Sequence, residues 1–290
     1  MKRIKKLTIF IMMFMLLATT GCFKKDNLEG INIVTTVYPI EWVTSYLYKE
    51  HANIASIYPN GVDTTTYSLS NKQMSDYSRK NLFIYNGLGS DKDITKEFLS
   101  RNKNLLIIDS AYGMEVINDV SELWLNPSNL LMMAQNIKNG LKEYMTNTYL
   151  EKEVDTKYEE LKVILSELDA EIKLTASNAT RKTIVVNSDA LKYLEKYGFT
   201  VISLDDTTNV VSDKAIEEVK ELIKNGEVKH LFVLENKENS ESFNKLVEDT
   251  KIDTYTYRKL DSITDQERDE TKDYIYLMNE NINLLKNELY

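Results

Sequence analysis

The sequence contains a single cysteine and only two histidines, and this scarcity excludes several kinds of site. One cysteine cannot form a disulfide within the chain, and it cannot build a cysteine-rich zinc cluster. Basic residues are also in deficit: 36 lysines and arginines face 45 aspartates and glutamates, for a formal net charge of −9. Because phosphate backbones are bound by basic surfaces, this balance argues against a nucleic-acid partner.

The sequence also lacks the short motifs of common catalytic sites. It has no GxSxG nucleophile elbow, no HExxH zinc motif and no glycine-rich phosphate loop. Two carboxylate clusters, at residues 205–206 and 267–270, resemble acid–base pairs. In a chain with 45 acidic residues such clusters are generally solvated loops, so we predict that the protein is not an enzyme.

The longest apolar run lies near the N-terminus. Basic residues within positions 2–6 precede an almost entirely apolar stretch over residues 7–18, and small residues then lead to Cys22. A run of about a dozen residues has the length of a signal-peptide core, whereas a membrane span needs about 20. The junction is similar to a lipoprotein signal-peptidase site, although Thr19 stands where such sites usually carry leucine.

We therefore expect residues 1–21 to be a cleaved signal peptide and Cys22 to carry the lipid, palmitate being the usual chain. The alternatives are an uncleaved anchor and an ordinary secretory signal. Residues 22–29 are predicted to form a tether, since acyl chains on Cys22 would hold the protein at the membrane. This places the body of the protein at the extracytoplasmic face of a bacterial cell membrane.

Beyond residue 30, strand-like and helix-like segments alternate in two groups. The strand-like segments are 31–37, 54–58, 82–85 and 105–108 in the first group, and 183–186, 200–204, 230–234 and 254–257 in the second. Such alternation predicts parallel sheets in an α/β fold. Two helices are predicted between the groups, over 129–144 and 149–174. The second is either a core helix of one lobe or, as we favour, a rigid link between two lobes.

Seven segments, in this order, resemble the zinc- and manganese-binding solute-binding proteins of bacterial ABC importers, the cluster A-I family. They are VTTVYPIEWV (34–43), YPNGVD (58–63), LFIYNGLG (82–89), ELWLNP (122–127), ELDAEIK (167–173), ALKYLEKYGF (190–199) and YLMNENINLLK (276–286). The resemblance implies two α/β lobes, 30–147 and 179–290, joined by one long helix at 148–178. It also implies a ligand cleft between the lobes, a monomer, and a permease and an ATPase as partners.

The family takes one metal ligand from each of four loops, typically three histidines and a carboxylate. Matching the motifs residue by residue places Thr65, Glu122, Ser188 and Asp261 at these positions. The neighbours expected in or beside the cleft are Tyr38, Tyr67, Asn187 and Asp189. The chain's two histidines, His51 and His230, fall outside the motifs and are predicted to be structural or surface residues.

The implied cargo is a divalent metal ion, Mn²⁺ or Zn²⁺, but the four positions offer only oxygen atoms. Zinc favours imidazole and thiolate ligands, whereas an oxygen set suits a hard cation such as Mn²⁺. Two other readings stay open at this stage. The cleft could bind a polar organic solute, or the protein could be an adhesin or surface scaffold with a vestigial cleft.

Overall fold

The computed structural model describes residues 26–115, 120–207 and 210–290. The predicted signal peptide and Cys22 lie outside the described residues. Within the described part of the chain, no helix has the length and apolar character needed to cross a membrane.

The first lobe is built on a four-stranded parallel sheet with the order β2-β1-β3-β4. Its strands are β1 (Ile31–Thr35), β2 (Ala52–Ser56), β3 (Leu82–Tyr85) and β4 (Leu106–Asp109). Its helices are α1 (Tyr38–Tyr48), α2 (Asn71–Ser78), α3 (Asp91–Arg101) and α4 (Pro127–Tyr144), with a 3₁₀ turn at Leu123–Leu125. A proline stands in the first turn of α1 and of α4, where its missing N–H costs nothing.

The second lobe repeats this plan with the strand order β6-β5-β7-β8, again all parallel. Its strands are β5 (Thr183–Val186), β6 (Thr200–Ser203), β7 (His230–Leu234) and β8 (Asp253–Tyr257). A 3₁₀ segment (Asp189–Tyr197) follows β5, and the helices are α6 (Asp213–Lys224), α7 (Glu241–Thr250), α8 (Asp265–Asp269) and α9 (Tyr274–Leu289). The predicted α/β fold with two parallel-sheet lobes is therefore confirmed.

The 31-residue helix α5 (Thr148–Asn178) connects the two sheets. At 1.5 Å per residue it is about 46 Å long. The Asn147 side chain caps its first turn by accepting a hydrogen bond from the Tyr149 N–H. Its buried stripe packs on α1 and α4 of the first lobe and on α9 of the second. The helix thus links the lobes and also supplies core residues to both of them.

The chain just before β1 is packed on the first lobe. Leu28 is fully buried, and the Asp26 carboxylate accepts hydrogen bonds from the N–H groups of Leu28, Thr146 and Asn147. These bonds outweigh the opposing effect of burial and lower the pKa of Asp26. Residues 26–29, the second half of the predicted tether, are therefore held against the start of α5.

Candidate functional site

The four predicted site residues lie on loops that follow strands of the two sheets. Thr65 lies between β2 and α2, Glu122 between β4 and α4, Ser188 directly after β5, and Asp261 between β8 and α8. The carboxyl ends of parallel strands meet at one edge of each sheet, which is where open α/β folds usually bind ligands. The structure brings these loops together where the two lobes face each other.

Asp261 is the most deeply buried of the four, with 2% of its surface exposed. Its Oδ2 accepts a hydrogen bond of 2.5 Å from the Thr64 hydroxyl of the first lobe. Its backbone oxygen accepts a bond of 3.0 Å from the Tyr38 N–H, also of the first lobe. Asp261, a residue of the second lobe, is therefore held by two contacts from the first lobe.

Lys259 places its ammonium group between the two predicted acidic ligands. Its Nζ lies 3.0 Å from Asp261 Oδ2 and 3.8 Å from Glu122 Oε1, and only 5% of its side chain is exposed. Glu122 belongs to the first lobe and Asp261 to the second. One buried cation, supplied by the chain itself, thus bridges carboxylates from the two lobes.

The backbone around Lys259 is held on both sides. Its carbonyl accepts a bond of 2.8 Å from Trp124 Nε1, and its N–H donates a bond of 3.1 Å to Glu235 Oε2. The next residue, Leu260, has a φ of 62°, in the left-handed region that a branched side chain rarely adopts. Such a conformation costs about 1–3 kcal/mol and is often found at functional sites. The turn at Leu260 places Lys259 and Asp261 in direct contact.

Thr65 and Ser188 are engaged in local hydrogen bonds. The Thr65 hydroxyl donates to Asp63 Oδ1 over 2.6 Å, and the Thr65 N–H donates to the same atom over 3.0 Å. Burial opposes ionisation of Asp63, but these bonds prevail and lower the pKa of its carboxyl. The Ser188 hydroxyl accepts from the Ala190 N–H at the start of the 3₁₀ segment. It is Thr64, the neighbour of the predicted Thr65, whose hydroxyl binds Asp261.

The four predicted neighbours have varied surroundings. Asn187 is buried and joins the ends of β5 and β7, since its Oδ1 accepts from the Leu234 N–H over 2.8 Å. Asp189 lies on the cleft wall, paired with Lys192 Nζ at 2.9 Å.

Of the two tyrosines predicted near the cleft, Tyr38 contacts the second lobe and Tyr67 is hydrogen-bonded within the first lobe. The Tyr38 ring lies 5.6 Å from the Arg268 guanidinium, and burial raises the pKa of its hydroxyl well above the usual range. The Tyr67 hydroxyl accepts a bond of 2.7 Å from Gln73 Nε2 within the first lobe.

Three adjoining cavities meet at Glu122. One of about 380 Å³ is lined by Thr65, Glu122, Ser188, Asp205 and Lys259, among others. One of about 600 Å³ extends along the wall formed by Asp189 and Tyr193. One of about 60 Å³ lies behind Lys259, against Tyr58, Thr64 and Asp91. Burial raises the pKa of Asp91 to about 6.

Neither histidine of the chain is at this site. His51 Nε2 lies 3.0 Å from Glu153 on α5, and His230 Nδ1 lies 2.8 Å from Glu288 on α9. Over residues 26–115, 120–207 and 210–290, no cluster of three or more histidine, cysteine, aspartate or glutamate side chains is arranged to hold a metal. The predicted positions at the cleft supply two carboxylates and two hydroxyl groups, with a lysine between the carboxylates, and the cavity of about 380 Å³ is also lined by Asp205, Glu235 and Glu238.

Sequence reasoning proposed Glu122 and Asp261 as ligands but did not single out Lys259, which lies between them. The only signal in the sequence was a lysine two residues before the predicted acidic ligand, in the segment KLDSIT. Spacing of this kind does not reveal the left-handed turn at Leu260 that directs the ammonium to the Asp261 carboxylate.

The chain is similar to known metal-binding proteins along most of its length. It is 22% identical over 316 residues to the zinc-binding lipoprotein AdcA of Streptococcus pneumoniae R6, covering 97% of this chain and 60% of that protein. It is 27% identical over 307 residues to the manganese ABC transporter substrate-binding lipoprotein PsaA of Streptococcus pneumoniae, covering 97% of each. The chain thus spans about 60% of the length of the AdcA lipoproteins that it matches.

Solved structures share the fold. The Zn(II)-bound ZnuA-like domain of Streptococcus pneumoniae AdcA superposes with a TM-score of 0.73 at 20% identity, covering 90% of this chain and 99% of that domain. The metal-dependent lipoprotein YcdH of Bacillus subtilis gives a TM-score of 0.73 at 19% identity, covering 89% and 99%. A family model described as "Zinc-uptake complex component A periplasmic" matches residues 33–288. The chain therefore belongs to the zinc-uptake complex component A family of zinc- and manganese-type solute-binding proteins.

Proposed function

We propose that this protein is the solute-binding lipoprotein of a metal-type ABC importer, capturing a divalent cation between its lobes for delivery to a permease driven by an ATPase. The observation that carries the proposal is the convergence of Glu122 and Asp261, from opposite lobes, on one buried position that already attracts a cation. A cation at this position is attracted by both carboxylates, as the Lys259 ammonium is, at 3.0 Å from Asp261 Oδ2 and 3.8 Å from Glu122 Oε1.

Mn²⁺ is the cargo that suits this site. The proposed ligand atoms are oxygens: the carboxylates of Glu122 and Asp261, with the hydroxyls of Thr65 and Ser188 as weaker neutral donors. Oxygen donors suit Mn²⁺, whereas Zn²⁺ gains most from imidazole and thiolate. We therefore expect Mn²⁺ to bind more tightly than Zn²⁺, and the manganese-type relative PsaA supports this choice.

The same proposal includes an extracytoplasmic location and a lipid anchor at Cys22, as the relatives are named lipoproteins. A Cys22→Ser variant should then appear in the culture medium or the soluble fraction rather than in the membrane fraction. Retention of this variant in membranes would refute the anchor and leave the binding function open. The protein is proposed to act as a monomer without catalytic activity.

Metal content and affinity test the function directly. The processed lipoprotein, purified in detergent, should contain or bind one Mn²⁺ per chain in elemental analysis and calorimetric titration. Glu122→Gln and Asp261→Asn should each weaken binding at least tenfold, because each removes one of the two charged ligands. Glu195→Gln, on the wall of the larger cavity, is the matched control and should bind as the unmodified protein does.

If the protein bound neither Mn²⁺ nor Zn²⁺, the proposal that its cargo is a metal ion would be overturned. Binding that survives both Glu122→Gln and Asp261→Asn would move the metal to another place. The comparisons do not favour the polar-solute and adhesion alternatives.

A further inference from the structure

We propose that Lys259 is an internal competitor for the cargo cation, so that a metal ion enters the site only when the lysine side chain leaves it. This inference rests on the proposed function, and it names the residue that sets the affinity of the site for the cargo cation. The ammonium group lies 3.0 Å from Asp261 Oδ2 and 3.8 Å from Glu122 Oε1, and so occupies the position between the two charged ligands.

A metal ion and the Lys259 ammonium cannot share this position. Both are cations, and the Lys259 and Asp261 side chains are only 5% and 2% exposed, so the repulsion between like charges there is weakly screened. Asp261 is 2% exposed, and its Oδ2 already accepts from Thr64 and from Lys259, which occupies both lone pairs of that oxygen. A metal bound to this oxygen, which faces the ammonium, must therefore replace the lysine contact.

The structure gives the lysine side chain room to leave while its backbone stays in place. The Lys259 backbone is held by Trp124 and Glu235. Its side chain borders the cavity of about 380 Å³, whose lining also includes the acidic residues Asp205 and Glu238. An ammonium displaced from Asp261 thus has open volume and negatively charged groups beside it.

The competition has a direct consequence for affinity. Displacing Lys259 breaks a buried charged contact, and its free-energy cost is subtracted from the gain of binding the metal. A neutral side chain of similar length removes both the competitor and this cost. We therefore expect Lys259→Met to bind Mn²⁺ at least tenfold more tightly than the unmodified protein.

The matched control is Lys237→Met. Lys237 lines the same cavity, but its Nζ pairs with Asp205 at 3.2 Å rather than with Asp261. Affinities are measured by calorimetric titration of the full processed lipoprotein with Mn²⁺, after circular dichroism has shown that each variant is folded. Lys237→Met should stay within about twofold of the unmodified protein. Lys259→Gln is measured in parallel. Its neutral amide can still donate a hydrogen bond to Asp261, so this variant should stay folded even if Lys259→Met does not.

The outcomes separate this inference from the proposed function. The inference is supported if the Lys259 variants bind Mn²⁺ more tightly than the unmodified protein and Lys237→Met does not. This holds whether or not binding by the unmodified protein is measurable. Equal or weaker binding by folded Lys259 variants, with one Mn²⁺ bound to the unmodified protein, overturns the competitor and leaves the metal function standing. No Mn²⁺ binding by any folded variant overturns both. An equal gain in Mn²⁺ affinity in Lys237→Met would also overturn the competitor inference, because the effect would then come from a general change in the charge of the cleft.

Discussion

Replacement of Asp91 by asparagine should stabilise the protein, and the gain should depend on pH. Asp91 is the first residue of α3 and lines the small cavity behind Lys259, where 6% of its surface is exposed. Two of the bonds to its carboxylate are long, 3.4 Å from the Tyr58 hydroxyl and 3.3 Å from the Asn86 N–H, and the Thr36 hydroxyl also donates to it. Asparagine has nearly the same shape and no charge, so the substitution removes the cost of burying a carboxylate.

The magnitude follows from the pKa. Burial raises the pKa of Asp91 from its ordinary value of 3.8 to about 6, although hydrogen bonds oppose this rise. Each pKa unit corresponds to about 1.4 kcal/mol, so the ionised Asp91 costs the folded state about 3 kcal/mol at neutral pH. The expected gain of Asp91→Asn is therefore about 2–3 kcal/mol at pH 7.5.

The sign of the pH dependence is fixed by the direction of the shift. Well below pH 3.8 the carboxyl is protonated in both the folded and the unfolded state, so its charge has no effect on the free energy of unfolding. As the pH rises from 3.8 to about 6, the unfolded state loses its proton while the folded state retains it, so the unmodified protein loses stability relative to the variant. Above pH 6 the carboxyl is ionised in both states and the loss levels off. The advantage of Asp91→Asn should therefore be small at pH 4, close to its full size at pH 6, and complete by pH 7.5.

Urea denaturation at pH 4, 6 and 7.5 measures this difference, with an unchanged m-value as the sign of an unchanged unfolding reaction. Asp93→Asn is the matched control, because Asp93 lies in the same first turn of α3 but is solvent-exposed. It should change the free energy of unfolding by less than about 0.5 kcal/mol at every pH. If Asp91→Asn destabilised the protein at pH 7.5, the carboxylate would be a favourable helix-terminal charge and the reasoning from burial would be wrong.

Two further predictions concern packing and the contact between the lobes. A Cβ added at Gly140 of α4 would come within 2.7 Å of Ile108 on β4. Overpacking costs about 1–3 kcal/mol and the higher helix propensity of alanine offsets about 1, so Gly140→Ala should lower the free energy of unfolding in urea by about 1 kcal/mol. The same substitution should cause no loss of stability in an Ile108→Ala background, and an equal loss there would show that contact with Ile108 is not the cause. The buried Tyr274 hydroxyl donates to the Trp124 carbonyl across the lobes, so Tyr274→Phe should cost about 1–3 kcal/mol. The exposed Tyr276→Phe on the same helix should cost almost nothing, and equal losses would refute the role of this bond.

The regular elements were predictable because each carries a local periodic signal. The helix predicted over 149–174 is observed as Thr148–Asn178, and its buried stripe includes Leu161, Leu165, Leu168 and Ile172 at helical spacing. The extra residues at its ends depend on local contacts that periodicity does not register. At the N-terminal end this contact is the cap by Asn147, where a side chain replaces a missing backbone partner.

The site was predictable only at the level of its loops. Motif spacing pointed to Glu122 and Asp261, and the structure places both on loops that follow strands and face each other across the lobes. Motif spacing could not show that Thr64 rather than Thr65 donates to Asp261, since neighbouring side chains on a turn point in directions set by the turn itself. Nor could it find Lys259, whose contact depends on the positive φ of Leu260.

The charges of the cleft connect the fold to the proposed cargo. Glu122 and Asp261 come from different lobes, and Trp124, Lys259 and Tyr274 join those lobes by buried hydrogen bonds close to them. With the lobes held this way, the Lys259 ammonium lies 3.0 Å from a carboxylate oxygen of one lobe and 3.8 Å from one of the other. Lys259 is thus a cation of the chain itself at the place proposed for the cargo. On the proposed competition, the affinity for metal is the difference between two cations competing for the same carboxylates.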